Sequence, residues 1–229
     1  MSRLDALVGA LKKFYGALPA PPAEPFQLFV WEVLSVHSTP RQRDAALAAL
    51  KRNRALTPDA MWKVARKKLE DSVKMAGPYL EQRVHALRTG VDIFRRNPML
   101  PASVRGPLPD ARKALKGMPQ MGEGGAYRML LFAADHCVLP VDARVSRVAT
   151  RLGYGEKQAT FAKTARAIRE AVAADLPQTL DAYRRAYIYL DYHGVATCTE
   201  ADPRCHVCPL LKDCPEGKSR ERLQSRERP

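Results

Sequence analysis

Four cysteines near the C-terminus form the most chemically distinctive pattern in the sequence. They follow a C-x6-C-x2-C-x5-C spacing, at Cys198, Cys205, Cys208 and Cys214. Four thiolates are soft ligands that suit a tetrahedral zinc ion or an iron–sulfur cluster. Zinc sites usually contain two closely spaced pairs separated by a longer loop, whereas this loop is compact and holds a single C-x2-C pair. The spacing therefore favours iron–sulfur ligation, with a structural zinc site as the alternative.

A short turn that ends in glycine lies between a basic segment, ending near Lys116, and an apolar one that begins at Ala126. A turn of this kind exposes backbone N–H groups at the start of the next helix, where the helix dipole helps them to bind a phosphate oxygen. An ordinary connection between two helices is the alternative interpretation. The residues of the turn are Met118, Pro119, Gln120, Met121 and Gly122.

A single aspartate, Asp142, follows Val141 directly before another predicted helix. Aspartate is a favoured N-cap residue, and capping is the simpler interpretation of this position. A carboxylate at a helix start can also serve a cleft, because the dipole keeps it ionised and able to act as a base or to stabilise a developing cation. The residues alone leave both roles open.

The segments that must position these residues are predicted to be helical. Alanine, leucine and arginine are abundant, and runs of β-branched residues are few. Residues 1–17 form an amphipathic pattern, and the proline-rich stretch from Leu18 to Pro25 cannot continue that helix. The segment from Phe26 to about Val36 is apolar nearly all round, which predicts a buried helix. A helix over Leu180 to Tyr192 leads into the cysteines, so the sequence predicts an all-α protein.

The chain of 229 residues carries a strong positive charge. Lysine and arginine total 38 against 24 acidic residues, which gives a net charge of +14 and a pI near 9.8. An excess of this size, spread along the chain, indicates a folded surface for a polyanion such as nucleic acid. No signal-peptide pattern and no apolar run long enough to span a bilayer occurs in the sequence. We therefore expect a cytoplasmic, nucleoid-associated protein without a membrane partner.

These features together resemble the endonuclease III family of DNA glycosylases, in the helix–hairpin–helix superfamily. The cysteine spacing matches the family's iron–sulfur loop at all four positions. The turn from Met118 to Gly122 is similar to the family's Leu-Pro-Gly-Val-Gly hairpin. The stretch Val141-Asp142-Ala143-Arg144 is similar to Val-Asp-Thr-His, which holds the family's catalytic aspartate. The resemblance covers about Pro25 to Cys214.

The resemblance implies two all-helical lobes with a DNA-binding cleft between them. One lobe, residues 25–135, is a six-helix barrel that includes the hairpin. The other joins residues 1–24 to residues 136–214 and carries a [4Fe–4S] cluster. Residues 215–229 are expected to form a charged, mobile tail. Family members bend duplex DNA and flip a damaged base into the cleft.

The resemblance also implies which residues meet the DNA. His37 falls in a loop that contributes a side chain to the space left by a flipped base, and Pro78 lies in a second DNA-facing loop. The hairpin, Met118 to Gly122, is expected to bind phosphate. Arg144 is expected to contact DNA beside the catalytic Asp142, and Arg204 and Lys212 are the candidates in the cysteine loop.

Two departures from the family pattern affect the expected mechanism. Bifunctional members carry a lysine two residues after the last hairpin glycine, and its amine attacks C1′ of the sugar to form a Schiff base. This sequence has Gly124 there, and Lys116 lies before the hairpin. Gln120 replaces the first hairpin glycine, where a tight turn favours glycine's dihedral angles, so weaker phosphate binding is expected.

The residues are thus most consistent with a monofunctional glycosylase that acts on a damaged or mismatched base in double-stranded DNA. Asp142 would activate a water or stabilise the sugar cation. A monomer is expected, with an AP endonuclease as the functional partner that processes the abasic product. Two alternatives remain. One is a catalytically silent protein that binds lesions, and the other is a residual bifunctional enzyme that uses a different amine.

Overall fold

The computed structural model describes residues 2–115 and 117–226, without the side chains of residues 223–226. This part of the chain contains thirteen α-helices and three short 3₁₀ turns, and no strand occurs in it. The predicted all-α class is confirmed. Within the same described ranges, no helix combines the length and the apolar character that crossing a membrane requires. Lys116, which was expected near a helix end, lies outside the described residues.

One compact unit spans Pro21–His136. Among its described residues, six helices contain eight residues or more and two are shorter. In chain order they are α2 (Pro25–Ser35), α3 (Pro40–Arg52), α4 (Pro58–Lys63), α5 (Arg66–Val73), α6 (Leu80–Arg96), α7 (Leu100–Ser103), α8 (Leu108–Leu115) and α9 (Glu123–Ala133).

The centre of this unit is α2, which is buried along most of its length. Pro25 begins the helix at its first turn, where the missing N–H costs nothing, and the Glu24 side chain accepts a hydrogen bond from the Gln27 amide at 2.8 Å. Helix α6 packs closely against it at Gly90. A Cβ atom there would lie 2.1 Å from the Phe29 ring, so only glycine permits this approach.

The second unit combines Met1–Ala20 with Cys137–Pro229. Its helices are α1 (Arg3–Tyr15), α10 (Ala143–Arg151), α11 (Phe161–Asp175), α12 (Leu180–Ala196) and α13 (Pro215–Arg226). The units therefore divide at residues 20 and 137, a few residues from the boundaries expected at 24 and 136. The division after Ala20 falls inside the proline-rich stretch, of which residues 18–24 form no helix.

The segment after Cys214 differs from the expected mobile tail, because α13 forms there. Pro215 occupies the first position of the helix, where its fixed φ angle is favourable. Arg220 and Glu216, one turn apart, form an ion pair with an N–O distance of 2.8 Å. The charge run that indicated a tail is thus compatible with a solvated helix, and residues 227–229 lie outside the described chain.

Candidate metal centre and nucleic-acid interface

The cysteine loop, residues 198–214, follows α12 and contains little regular structure. It forms two 3₁₀ turns, Cys205–Val207 and Leu211–Asp213. All four cysteines line one cavity, and each is a free thiol. Among residues 2–115 and 117–226, no group of three or more His, Cys, Asp or Glu side chains is arranged to hold a metal ion.

The donor set of this cavity nevertheless fits a group that binds thiolates, because N–H donors face three of the four sulfurs. The Arg151 guanidinium donates to Cys198 Sγ at 3.2 Å, and the Gly217 amide donates to Cys214 Sγ at 3.3 Å. His193 Nε2 lies 3.7 Å from Cys208 Sγ. Hydrogen bonds of this kind stabilise negative charge on sulfur.

The electrostatics of the four thiols also show that they lie within reach of one another. Burial raises the pKa of the Cys208 thiol to about 11, and the other three cysteines add to this rise. Burial raises the pKa of Cys205 and of Cys214 as well, and the charge of Cys198 contributes to both. Four thiolates in this space therefore require a positively charged centre to be stable.

Arginines of α10 fix the backbone of the cysteine loop. Arg147 donates to the carbonyls of Cys198 at 3.0 Å and Gly194 at 2.7 Å. Arg151 donates to the Thr199 carbonyl at 2.7 Å in addition to its contact with sulfur. Within the loop, Arg204, a candidate for contact with phosphate, donates to the Ala196 carbonyl. Arg204 and Lys212 are both exposed, but the guanidinium of Arg204 already has an intramolecular hydrogen-bond partner.

A partly buried chain of hydrogen bonds connects α1 to the cysteine loop. The Tyr15 hydroxyl lies 2.7 Å from His193 Nδ1 and 2.7 Å from Thr197 Oγ1. Burial lowers the pKa of His193 to about 4, so the ring is neutral at pH 7. In the tautomer in which Nδ1 accepts from Tyr15, the ring proton is on Nε2, which lies 3.7 Å from Cys208 Sγ. His193 was not predicted from the sequence, although its position five residues before Cys198 is a usable signal.

The hairpin keeps a tight turn despite its altered sequence. Gln120 adopts a left-handed backbone with φ of 56°, the conformation that a glycine would supply more easily. Its side chain donates to the Gln82 carbonyl at 3.0 Å, and the Met121 amide donates to the Met118 carbonyl at 3.3 Å. Gly122 is the N-cap of α9 and offers no side chain to the first N–H groups of that helix.

The hairpin residues expected to contact DNA differ in accessibility. Gln120 and Gly122 are exposed, and Pro119 and Met121 are half-buried. Met118 is buried, at 5% exposure, because it packs into the core beneath the turn. A buried side chain leaves only the backbone of Met118 for contact with a phosphate, which is the kind of contact predicted for the hairpin.

The glycines after the hairpin lie beside a buried ion pair. Arg128 of α9 binds Glu32 of α2 through two parallel hydrogen bonds, of 2.5 Å and 2.7 Å. A Cβ atom on Gly125 would lie 3.0 Å from the Glu32 carboxylate, so glycine allows this approach. Gly124 is in the first turn of α9 and has no side chain. Because Arg128 satisfies the carboxylate, Glu32 is a structural partner.

Asp142 is the N-cap of α10, as one of the two interpretations predicts. Its Oδ1 atom accepts hydrogen bonds from the amides of Arg144 and Val145, both at 3.0 Å. The carboxylate therefore has a fixed orientation at the positive end of a nine-residue helix. Arg144 is exposed, and its Nε atom lies 3.3 Å from Asp191 of α12.

The two loops expected to face DNA meet at their aromatic residues. His37 and Tyr79 are both exposed, and their ring centroids are 5.1 Å apart with an interplanar angle of 50°. Pro78 precedes Tyr79 and is also exposed. His37 and Pro78 were predicted to contact DNA, whereas no separate role was predicted for Tyr79, because the pairing of the two rings depends on the fold.

The sequence of this chain is similar to those of endonuclease III proteins from several organisms. No family model matches the chain. It is 25% identical over 208 residues to endonuclease III of Treponema pallidum, covering 89% of this chain and 92% of that protein. It is 24% identical over 201 residues to the chloroplastic endonuclease III homolog 1 of Arabidopsis thaliana, covering 87% of this chain and only 51% of the plant protein. The chain thus spans about half the length of the plant relative.

Solved structures show the same likeness at the level of the fold. A trapped covalent complex of endonuclease III with DNA superposes with a TM-score of 0.70 at 22% identity, over 96% of this chain and 97% of that one. A thermostable thymine-DNA glycosylase superposes with a TM-score of 0.71 at 17% identity, over 94% and 97% of the two chains. The chain has the endonuclease III fold. The fold expected from the cysteine spacing, the hairpin and Asp142 is therefore confirmed.

Within this endonuclease III fold, the predicted residues divide between the two units. The hairpin and the two aromatic loops belong to the unit Pro21–His136, and Asp142, Arg144 and the four cysteines belong to the other. Each unit therefore contributes a different kind of group. One presents backbone N–H groups and aromatic rings, and the other presents a carboxylate and four thiols.

Proposed function

We propose that the chain is a monofunctional DNA glycosylase of the endonuclease III type, which removes a damaged or mismatched base from double-stranded DNA. The observation that carries the monofunctional assignment is Gly124, which leaves the first turn of α9 without an amine at the position that resembles the lyase lysine. The names of the relatives, endonuclease III and thymine-DNA glycosylase, support base excision as the class of reaction.

The chemistry assigned to Asp142 is assistance to hydrolysis. The bond between C1′ and the base nitrogen breaks, and its electron pair leaves with the base. A water molecule adds to C1′ and loses a proton to the carboxylate, which also stabilises the cationic sugar before the water adds. Two backbone amides orient Asp142 for this role, because they fix Oδ1 at 3.0 Å. General base assistance typically contributes about 10²–10⁴-fold to a rate.

The phosphates are proposed to bind at the hairpin, through the N–H groups at the start of α9. The left-handed Gln120 supports this assignment, since it keeps the turn tight without glycine. Arg144 is proposed to add a charged contact, and the net charge of +14 predicts binding that weakens as salt rises.

The cysteine loop is proposed to hold a [4Fe–4S] cluster through Cys198, Cys205, Cys208 and Cys214. Bound there, the cluster supplies a rigid, electron-rich anchor that cross-links the loop. Arg147 and Arg151 then hold the loop against α10, which keeps the exposed Lys212 on a fixed surface for a phosphate.

The protein is proposed to act as a cytoplasmic, nucleoid-associated monomer whose abasic product passes to an AP endonuclease.

A panel of duplexes tests the function. Uracil, thymine glycol, alkylated purines and abasic sites are each placed in labelled duplexes, and half of every reaction is treated with alkali. Base loss that appears only after alkali is expected. Asp142→Asn should lower excision by about 10²-fold or more while DNA affinity is retained, because asparagine still caps α10. Tight binding without product from any duplex would favour the silent lesion-binding protein instead.

Borohydride trapping tests the missing amine. The natural chain should give no covalent DNA adduct, and Gly124→Lys should gain one, since it restores an amine two residues after the hairpin. Gly9→Lys is the matched control, because it adds the same charge on an exposed face of α1 with no atom within 4 Å of its Cβ. An adduct formed by the natural chain would support the residual bifunctional enzyme.

A further inference from the structure

The two aromatic residues of the DNA-facing loops share an unusual backbone state. His37 has a φ of 48° and Tyr79 a φ of 69°, the left-handed region that residues with side chains rarely occupy. Their rings lie together, with centroids 5.1 Å apart, and 53% of Tyr79 is exposed. Such strain persists only where surrounding contacts hold the backbone in place, so the structure must fix both loops.

One buried side chain reaches both loops. Arg83 of α6 is only 1% exposed. Its guanidinium donates to the carbonyl of Val36 in the first loop, and to the carbonyls of Pro78 and Gly77 in the second, the last at 3.1 Å. Val36 and Pro78 directly precede His37 and Tyr79. The guanidinium therefore holds the two peptide groups from which the aromatic residues project.

Burying the positive charge of the Arg83 guanidinium costs free energy, so its position indicates a specific role in holding the two loops. Burial lowers the pKa of the Arg83 guanidinium, and its Nε atom has no hydrogen-bond partner among the described residues. A buried cation is tolerated only when hydrogen bonds replace its water. Here carbonyls of the two loops provide that replacement, so removing the guanidinium would leave them unpaired and the loops free to separate.

We propose that Arg83 is a positioning residue that presents His37 and Tyr79 as one aromatic pair, which enters the duplex at the space vacated by a flipped nucleotide. The proposal rests on the proposed binding of double-stranded DNA. Two rings fixed side by side offer a surface that replaces the stacking of the missing base. Two separate, mobile loops would first have to be ordered, and the entropic cost of ordering them would weaken binding.

Arg88 supplies a matched control on the same helix. Its guanidinium also donates to three carbonyls at a helix end, those of Met61 and Trp62 at 3.0 Å and 3.1 Å and that of Val64 at 2.5 Å. These carbonyls lie at the end of α4 and not in the aromatic loops. Arg88→Met therefore removes a comparable set of hydrogen bonds and leaves the aromatic pair in place.

The test measures the preference of the full-length protein for a duplex with a tetrahydrofuran abasic analogue over the same duplex undamaged. The analogue has no base to excise, so the readout does not depend on glycosylase activity. A 2-aminopurine base next to the tetrahydrofuran site reports insertion of the rings through a change in its fluorescence. Arg83→Met should reduce the preference about 5-fold or more, as should Tyr79→Ala and His37→Ala, whereas Arg88→Met should keep the preference of the natural chain.

A double variant separates positioning from general stability. Arg83→Met combined with Tyr79→Ala should lose no more preference than either change alone, because both act through the same pair. Should Arg83→Met fail to fold, Arg83→Lys takes its place, since lysine has no planar fork to bridge the two loops, and an intermediate preference is expected. Natural preference in Arg83→Lys, or in the exposed Tyr79→Ala and His37→Ala variants, would overturn the proposal.

The outcomes also distinguish this proposal from the proposed function. In one outcome, the natural chain excises no base and still prefers the tetrahydrofuran duplex, with a preference that depends on Arg83 and Tyr79. That result would contradict the glycosylase assignment and support the aromatic pair. Equal affinity of the natural chain for the two duplexes removes the aromatic pair, even if bases are excised.

Discussion

The hairpin and the cysteine loop are both short connections, but they keep their shapes in different ways. The hairpin, Met118 to Gly122, uses its own backbone, and it stays tight although Gln120 must adopt a left-handed conformation. The cysteine loop has only two 3₁₀ turns, and arginines of α10 hold its carbonyls while N–H donors face its sulfurs.

The difference indicates which sequence changes each region tolerates. The proposed phosphate contact of the hairpin uses backbone N–H groups and depends on the chain path, so Gln120 is compatible with it when a side-chain hydrogen bond supports the turn. The proposed cluster site depends on side-chain identity, so each of its four thiols is expected to be required. Variants at Gln120 and Cys208, and at Tyr15 next to the cysteine loop, break or sharpen this comparison, and a variant at Asp175 tests a carboxylate elsewhere in the unit that contains that loop.

The largest effect is expected from Cys208→Ser. The serine oxygen is a poor ligand for an iron–sulfur cluster, so we expect loss of iron and sulfide and loss of absorbance at about 400 nm. We also expect the free energy of unfolding to decrease by about 4 kcal/mol or more. Cys137→Ser, a cysteine outside the loop, should keep the full iron content. If metal analysis of the natural chain finds one zinc ion per chain and no iron, the site binds zinc and the proposal of an iron–sulfur cluster is wrong.

A smaller effect is expected at the hairpin. Gln120→Gly relieves the left-handed strain but loses the bond to the Gln82 carbonyl, so the free energy of unfolding should change by less than about 1 kcal/mol. Gln120→Val, with a β-branched residue at positive φ, should destabilise by about 1–2 kcal/mol. Urea unfolding measures both. DNA binding by Gln120→Gly should keep its salt dependence, and loss of binding in that variant would show that the side chain and not the backbone carries the contact.

A third variant, Tyr15→Phe, tests the hydrogen-bond chain to the cysteine loop. Removing the hydroxyl should cost about 1 kcal/mol in the free energy of unfolding. His193 would also lose the contact that favours a proton on Nε2, so the reduction potential of the proposed cluster should shift to a more negative value. Tyr189→Phe is the matched control, because its hydroxyl donates to the Gly16 carbonyl at 2.7 Å without reaching a cysteine. Equal potentials in the two variants would contradict a role for His193 toward sulfur.

The smallest effect concerns Asp175, a carboxylate held by both backbone and side-chain donors. Its oxygens accept from the Leu4 amide at 2.8 Å, the Arg3 amide at 3.2 Å and the Tyr154 hydroxyl at 2.5 Å. Burial alone would raise the pKa of Asp175, but these hydrogen bonds outweigh burial and the pKa is lowered. The bonds therefore stabilise the fold above the unfolded-state pKa of about 3.9, and this contribution is lost as the pH falls through the lower folded-state value.

Unfolding free energies of the natural chain and of Asp175→Asn, measured from pH 7 down to about pH 3, test this. The natural chain should be more stable at neutral pH, and the two curves should converge as the pH falls. Asp181→Asn, at a mostly exposed carboxylate of α12, serves as the control. Parallel curves for Asp175→Asn and the natural chain would contradict the prediction.

The sequence alone determined the features that depend on local spacing. The helices, the break between Leu18 and Pro25, and the loop of four cysteines follow from residue type and short-range periodicity. Asp142 was predictable as an N-cap because its partners are two and three residues away. The overall fold was predicted through the resemblance to the endonuclease III family, which the cysteine spacing, the hairpin and Asp142 carry together.

Only the tertiary structure decided which side chains support those features. Arg83 donates to a carbonyl 47 residues away, and the Tyr15 hydroxyl contacts His193 across 178 residues. The burial of Met118 and the pairing of His37 with Tyr79 likewise arise from packing between separate segments. A local pattern fixes the direction of a helix or a turn, but a buried polar group finds its partner only when distant segments exclude water together.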